Sequence, residues 1–234
     1  MKIDKLLEHL INEVTQDYSQ LTKVEIYKKG EKDPNFDFDK GLDALIEKDD
    51  EGRHVYYAGK DWKEFDYDKG FNALTKVDKG SQWIHLAGKN WKEFDFKKGF
   101  DALTKVDKDG EWIYKAGLDW KEFDYDKGLD ALTKVDKYGQ WINMAGGEWN
   151  TFDFNDGLDA LIEKDENGYY IYWSGKQWSN FDYKKGMKAL EEIGGKYLKQ
   201  AKESWPKTYP EKLKDVKDKY DENHIPGKRK KLKR

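Results

Sequence analysis

A period of 29 residues, repeated without any insertion, is the feature that most constrains this chain. The motif Phe-Asp-aromatic recurs at this spacing, and a glycine five residues after its phenylalanine keeps the same register. A fixed period of this length indicates one supersecondary unit stacked on further repeats of itself. The phenylalanines are Phe36, Phe65, Phe94, Phe123, Phe152 and Phe181, and the glycines are Gly41, Gly70, Gly99, Gly128, Gly157 and Gly186.

The first part of each repeat is predicted to be a β-hairpin. The segment Trp112–Ala116 is rich in residues that favour strands, and it ends at a glycine. Gly117–Asp119 has the length and residue types of a hairpin turn, and Trp120–Phe123 forms a second short apolar segment. We therefore expect strand, turn and strand before the rest of the repeat.

The second part of each repeat is predicted to be a helix, such as the one that follows Asp124. Asp124 is a typical N-cap, and Tyr125, Leu129 and Leu132 share one face at helical spacing. Gly128 lies inside this helix, where glycine costs about 1 kcal/mol relative to alanine. We interpret its recurrence as a place where the backbone of a neighbouring element approaches closely.

The predicted fold class is α+β, a tandem array of six 29-residue ββα repeats over residues 23–193. Residues 1–22 are predicted to form an N-terminal capping helix, because apolar residues from Ile3 to Leu21 recur at helical spacing. An oligomerisation helix is the alternative for this segment. Residues 194–234 are predicted to be a basic, partly helical C-terminal extension.

Composition excludes several classes of function. The 234 residues contain no cysteine, so disulfides, thiolate chemistry and cysteine-ligated zinc are not possible. The N-terminus carries acidic residues between its apolar ones and does not resemble a signal peptide, and no apolar run approaches the roughly 20 residues that span a bilayer. We predict a cytoplasmic or virion-associated protein without membrane contact.

No set of residues indicates an enzyme, a cofactor or a metal. The four histidines do not recur at one repeat position, and there is no phosphate-binding loop or paired-histidine motif. The acidic turns, such as Asp107–Gly110, resemble calcium loops, but Lys79–Gly80 and Lys137–Tyr138 interrupt the pattern in other repeats. A helix-to-strand turn is the preferred interpretation.

The candidate interaction surface consists of the positions that differ between repeats. The residue after the recurring aliphatic position varies freely, and so does the residue after it. Variable side chains on a constant frame are where a repeat protein carries recognition. The candidates are Tyr56, His85, Tyr114, Asn143, Tyr172, Lys115 and Trp173.

A second candidate site is the basic end of the chain. Residues 194–234 carry 14 Lys and Arg against 6 Asp and Glu, whereas the other 193 residues carry 30 basic and 41 acidic residues. Such asymmetry suggests an acidic body and a basic tail with a partner of its own. The proposed anchoring residues are Lys228, Arg229, Lys230, Lys231, Lys233 and Arg234.

The leading functional hypothesis is a non-enzymatic structural or interaction protein. Its repeats would form a scaffold, a spacer or a docking surface in a larger assembly such as a phage virion, with a protein partner. Its basic tail would anchor it to nucleic acid or to an acidic assembly. The alternative is a ligand-binding module that reads glycans or other small ring-bearing molecules with its repeated aromatic residues.

Overall fold

The computed structural model describes residues 17–205, and this part of the chain forms thirteen α-helices and no strand. Residues 17–21 form a turn. The predicted capping helix therefore falls largely on residues 1–16, outside the described residues. The six basic residues of the proposed anchor, from Lys228 to Arg234, also lie outside them.

Short and long helices alternate along the chain, and the described residues divide into two compact units between Phe123 and Asp124. In the first unit the short helices are Lys23–Lys32 (α1), Arg53–Asp61 (α3), Gln82–Asn90 (α5) and Glu111–Asp119 (α7). Its long helices are Phe38–Lys48 (α2), Tyr67–Val77 (α4) and Phe96–Val106 (α6). The second unit has the short helices Gln140–Glu148 (α9), Tyr169–Gln177 (α11) and Gly195–Ser204 (α13), and the long helices Tyr125–Val135 (α8), Phe154–Lys164 (α10) and Tyr183–Ile193 (α12).

The predicted ββα repeat is wrong, because the segment expected to form a hairpin is a short helix and a turn. Trp112–Ala116 lies within α7, and Gly117–Asp119 is the last turn of the same helix. Ile113, Ala116 and Gly117 are buried at helical spacing, and Trp120 continues this face. Packing of this face determines the structure more strongly than the β propensity of a five-residue window.

The N-caps predicted for the long helices are confirmed. Each recurring aspartate precedes a long helix, has extended backbone angles, and accepts a hydrogen bond from a backbone N–H in the first turn. For example, Asp95 accepts from the backbone N–H of Lys98 at 3.0 Å. The six caps are Asp37, Asp66, Asp95, Asp124, Asp153 and Asp182.

The turn from a short to a long helix, which we call the aromatic turn, carries the contact between repeats. In one example the buried indole of Trp91 lies against Gly59 of the preceding short helix, and its Nε1 donates to the carbonyl oxygen of Tyr56 at 3.0 Å. A Cβ at Gly59 would lie 2.5 Å from Trp91. Trp62, Trp120 and Trp178 contact Gly30, Gly88 and Gly146 in the same way.

The glycine inside five of the long helices makes room for an aromatic ring, not for another backbone as the sequence suggested. A Cβ at Gly99 would lie 2.4 Å from the ring of Phe94, which belongs to the turn just before the same helix. Phe94 in turn lies edge-on to Trp120, with 5.3 Å between ring centroids. The recurring glycine therefore seats the phenylalanine that supports the next tryptophan.

The turn from a long to a short helix, which we call the aspartate turn, is built on a buried carboxylate. Asp136 accepts hydrogen bonds from the backbone N–H groups of Gly139, Gln140, Trp141 and Ile142 at 2.7–3.2 Å. These groups begin α9, and the first N–H groups of a helix have no partner within the helix itself. The expected helix-to-strand turn is thus a helix-to-helix turn, and its acidic residue binds backbone.

The segment after the sixth long helix repeats the short-helix pattern once more. The indole of Trp205 lies against Gly175, as the other tryptophans do against their glycines. The preceding turn has one residue between the two helices instead of four, and Lys202 stands at the position where the other short helices have glycine. The Nε1 atom of Trp205 is buried without a hydrogen-bond partner among the described residues.

Candidate interaction surface

Five of the seven residues predicted to form an interaction surface are buried. Tyr56, His85, Tyr114, Asn143 and Tyr172 each expose at most 8% of their surface. They follow the recurring aliphatic residue on a helix, where adjacent positions both face the core, whereas on a strand they would alternate between faces. These five side chains therefore do not form a surface open to a partner.

The buried positions contact the next short helix through polar pairs. His85 Nε2 lies 3.1 Å from Asp119 Oδ2, and Asn90 donates from Nδ2 to the Tyr56 hydroxyl at 2.9 Å. In the second unit Asn143 Nδ2 donates to Ser174 Oγ at 2.7 Å. The variable positions are thus part of the packing between successive repeats.

The His85 site combines burial with two neighbouring charges. Asp119 also accepts from Lys89 Nζ at 2.8 Å, so one carboxylate contacts both an imidazole and an ammonium group. Burial lowers the pKa of His85, while Asp119 acts in the opposite direction. The lowered pKa means that this interface favours a neutral imidazole near pH 7.

The other two predicted residues, Lys115 and Trp173, lie on the outward face of the short helices. Lys115 Nζ contacts Glu111 Oε1 at 2.5 Å and lies 4.0 Å from the ring centroid of Trp112. The ammonium group is therefore held over an indole face, an arrangement worth about 0.5–1 kcal/mol at an exposed site. The side chain of Trp173 is 37% exposed.

An exposed aromatic cluster surrounds Trp173 in the second unit. Tyr169 is 39% exposed, and its ring centroid lies 6.3 Å from that of Trp173 and 5.4 Å from that of Tyr197. Lys196 Nζ lies 4.6 Å from the Tyr197 ring centroid. We call Tyr169, Trp173, Tyr197 and Lys196 the aromatic cluster. Valine, arginine, glutamine or glutamate occupies the position of Tyr169 in the other repeats, so the frame does not require these rings.

Two open grooves in the first unit follow consecutive aromatic turns. The larger, of about 740 Å³, is lined by four acidic residues on the first turn and by Glu64 and Asp66 on the next. The smaller, of about 570 Å³, is lined by Asp66, Asp68, Glu93 and Asp95 beside aromatic rings and Lys98. This excess of carboxylates favours positively charged groups. The first-turn acids of the larger groove are Glu31, Asp33, Asp37 and Asp39.

Neighbouring long helices are linked at the surface by ion pairs. Lys69 Nζ lies 2.7 Å from Asp43, Lys98 Nζ lies 3.2 Å from Asp68, and in the second unit Lys185 Nζ lies 2.5 Å from Asp159. Exposed pairs of this kind contribute about 0–1 kcal/mol each. The outer face of the long helices therefore carries both acidic and basic side chains.

The recurring side chains of the described residues are engaged in packing and in hydrogen bonds to backbone. Between residues 17 and 205, no three His, Cys, Asp or Glu side chains are grouped so that they could hold a metal ion. None of the helices described is long and apolar enough to cross a membrane. The tryptophans of the aromatic turns have their rings buried in packing, so they are not available as a binding ladder.

Sequence reasoning missed the aromatic cluster and the acidic grooves. The run Tyr169-Tyr170-Ile171-Tyr172-Trp173 is more aromatic than the same positions in any other repeat, and that difference is visible in the sequence. The grooves depend on how consecutive turns lie beside each other, which a strand-based interpretation could not reveal. No protein-family model, curated protein or solved structure matches the chain.

Proposed function

We propose that this chain is a non-enzymatic interaction protein whose repeats display repeat-specific outward residues and whose basic tail anchors it. The observation that carries the proposal is a difference between two sets of positions within each repeat. The recurring tryptophans, glycines and aspartates are buried or bonded to backbone, whereas the outward positions of the short helices differ from one repeat to the next. Such a frame suits docking rather than catalysis.

Electrostatics supports two separate partners. The grooves of the first unit favour cationic groups of a protein partner, because carboxylates outnumber lysines along them. The residues from Lys228 to Arg234 carry six positive charges and suit phosphates or an acidic protein surface. A chain with an acidic body and a basic end would connect two components of an assembly, and a virion is one such assembly.

The size of the native particle tests the docking part of the proposal. When the protein is isolated from its native source at low ionic strength, we expect it in a particle much larger than its own 27.7 kDa. High salt should release it, because contacts between exposed charges are screened. A single chain of 27.7 kDa at both salt concentrations would contradict the proposal.

DNA binding tests the tail separately. The full chain should bind a random-sequence double-stranded DNA fragment at about 50 mM salt and lose most of that affinity at about 200 mM. A variant with the six basic residues of 228–234 changed to glutamine keeps the length and should lose the low-salt binding. Equal binding by both proteins at both salt concentrations would exclude nucleic-acid anchoring through the tail.

The aromatic cluster favours a second candidate function, a module that binds a ring-bearing ligand. Its two exposed rings, Tyr169 and Trp173, lie beside each other, and Tyr169 also lies beside Tyr197, whose ring contacts Lys196. Rings and cations together suit stacked bases or sugar faces. The recurring tryptophans do not support this function, since they are buried.

Tryptophan fluorescence during titration with oligosaccharides and nucleotides tests this second candidate. A saturable response in the full chain should disappear in Trp173→Ala and persist in Leu118→Ala, which removes another exposed apolar side chain of a short helix. A silent titration with both classes of compound would exclude it. A response that survives Trp173→Ala would place the ligand elsewhere.

A further inference from the structure

Within each unit, the polar pairs between successive short helices differ from one interface to the next. In the first unit, Tyr27 donates from its hydroxyl to Asp61 Oδ2 at 2.9 Å, which is a phenol–carboxylate pair. The next interface pairs the Tyr56 phenol with an amide, and the one after it pairs the His85 imidazole with a carboxylate. Residues at equivalent positions of equivalent helices therefore make chemically different contacts.

The two sides of each interface change together. Asn143 has a shorter side chain than the tyrosines at its position, and it reaches Ser174, one helical turn before the residue that those tyrosines contact. Ser174 is fully buried, and Ala58, Ala87, Ala116 and Ala145 occupy its position in the four repeats before it. The one serine at this position thus faces the one asparagine at the variable position. The variable residue of one repeat is paired with a suitable side chain of the next repeat.

A chain of nearly identical repeats needs such differences. The tryptophan and glycine of every interface are the same, so those contacts alone would also fit a repeat to the wrong neighbour or to another copy of the chain. Mispairing and domain swapping are the typical failures of repeat proteins. Single buried polar residues are known to fix register where apolar contacts are degenerate.

We propose that the polar pairs between successive short helices specify the order of the repeats and prevent a wrong repeat, from the same chain or from a second copy of it, from occupying an interface. In the first unit this role belongs to the pairs Tyr27–Asp61, Tyr56–Asn90 and His85–Asp119. Asn143–Ser174 and Tyr172–Ser204 carry it in the second, the latter with 3.4 Å between hydroxyl oxygens.

Making the interfaces identical tests the proposal. His85→Tyr together with Asn90→Asp gives all three interfaces of the first unit the phenol–carboxylate pair that the first already has. The frame accepts tyrosine at this position, because Tyr56 lies 5.4 Å from Trp83 just as His85 lies 5.3 Å from Trp112. After refolding at high protein concentration, we expect a several-fold larger fraction of dimers than the original sequence gives, measured by size-exclusion chromatography.

A permuted variant is the matched control. Tyr56→His with Asn90→Asp and His85→Tyr with Asp119→Asn exchanges the second and third pairs, so the three interfaces stay different although four residues change. This variant should refold to monomer as the original sequence does. Asn72→Asp makes the same amide-to-acid change on an exposed part of a long helix and should also leave the dimer fraction unchanged.

The outcomes separate specificity from stability. If the identical-interface variant refolds to monomer at the original yield, the pairs do not specify order and the proposal is overturned. The same conclusion follows if the permuted variant forms dimers to an equal extent. Should His85→Tyr prevent folding, Asn90→Asp alone still makes the first two interfaces identical, and its dimer fraction decides the matter by the same criterion.

Discussion

The two turns of each repeat achieve a change of chain direction by opposite physical means. The aromatic turn is built on apolar rings, and through its tryptophan it reaches the glycine of the preceding repeat. The aspartate turn is built on a buried carboxylate, and its hydrogen bonds stay within six residues of sequence. One turn joins repeats to each other and the other starts the next helix.

This difference predicts that damage to the two turns will spread differently. Loss of an aromatic turn removes apolar burial shared by two repeats, so it weakens the cooperativity between neighbours. Loss of an aspartate turn exposes only the first N–H groups of one helix. The following five substitutions test this distinction, beginning with the largest expected effect.

Trp91→Ala should cost about 3–5 kcal/mol, because it removes a buried indole and leaves a cavity beside Gly59. Urea unfolding of the full chain measures the loss. Trp83→Ala removes a half-buried indole from the outward face of a short helix and should cost clearly less. Equal losses in the two variants would show that the tryptophan of the aromatic turn contributes no more to stability than a tryptophan on the outward face.

Gly88→Ala should cost about 1–3 kcal/mol, although alanine is the better helix former. Its Cβ would lie 2.4 Å from Trp120 Nε1, so the indole would have to move and its hydrogen bond to the His85 carbonyl would lengthen. Gly147→Ala is the control, since a Cβ there meets nothing within 4 Å. We expect that control to raise the unfolding midpoint, and a fall of similar size in both would refute the packing explanation.

Asp136→Ala should cost about 0.5–2 kcal/mol at pH 7, the range for loss of a helix cap. Its pH dependence has a definite sign. Burial raises the pKa of Asp136, so the folded chain binds this proton more tightly than the unfolded chain does. Its contribution to stability is therefore largest below the ordinary pKa of about 3.9 and falls as the pH rises through the raised pKa.

Asp95→Ala in the aromatic turn should show the opposite sign. The backbone N–H of Lys98 lowers the pKa of Asp95, so its contribution is present above about pH 3.9 and is lost as the pH falls through the lowered pKa. Denaturation of both variants and the original sequence between pH 3 and 7 would measure the two differences in unfolding free energy. Parallel profiles for the two variants would contradict the distinction between buried and exposed aspartates.

Ser81→Gly should stabilise the chain by about 0.5–1 kcal/mol. Ser81 has a φ of 65°, at a position where Gly52, Gly110, Gly139 and Gly168 occupy the same left-handed region. Its hydroxyl is also buried without a hydrogen-bond partner among the described residues. Thermal unfolding would reveal the gain, and a lower midpoint would mean that the aspartate turn tolerates a side chain here for another reason.

The sequence predicts the period and the capped long helices, because both depend on local patterns. Asp124 before a helical face is such a pattern. The short helices were missed because Gly117 and the β-formers around Ile113 suggest a hairpin when they are considered alone. The glycine inside a short helix is explained by the indole that packs against it. This contact joins residues that are 32 apart in the sequence, as Gly59 and Trp91 show.

The candidate surface was predicted less well for the same reason. Variation between repeats identified residues that differ, but it could not show whether His85 or Trp173 faces solvent, since that depends on the type of element. The helical face buries the first and exposes the second. The tail, from Lys228 to Arg234, remains a prediction from charge alone.

Lys202 has a consequence for how the length of such a protein can change. An internal duplication of 29 residues would bring its own tryptophan and its own glycine, so the tryptophan–glycine contact would be kept at every new junction. A further repeat added after α13 would have to place its tryptophan against Lys202, where the other short helices have a glycine. Repeats can therefore be gained or lost within the series, but a further repeat of the same kind cannot pack onto α13.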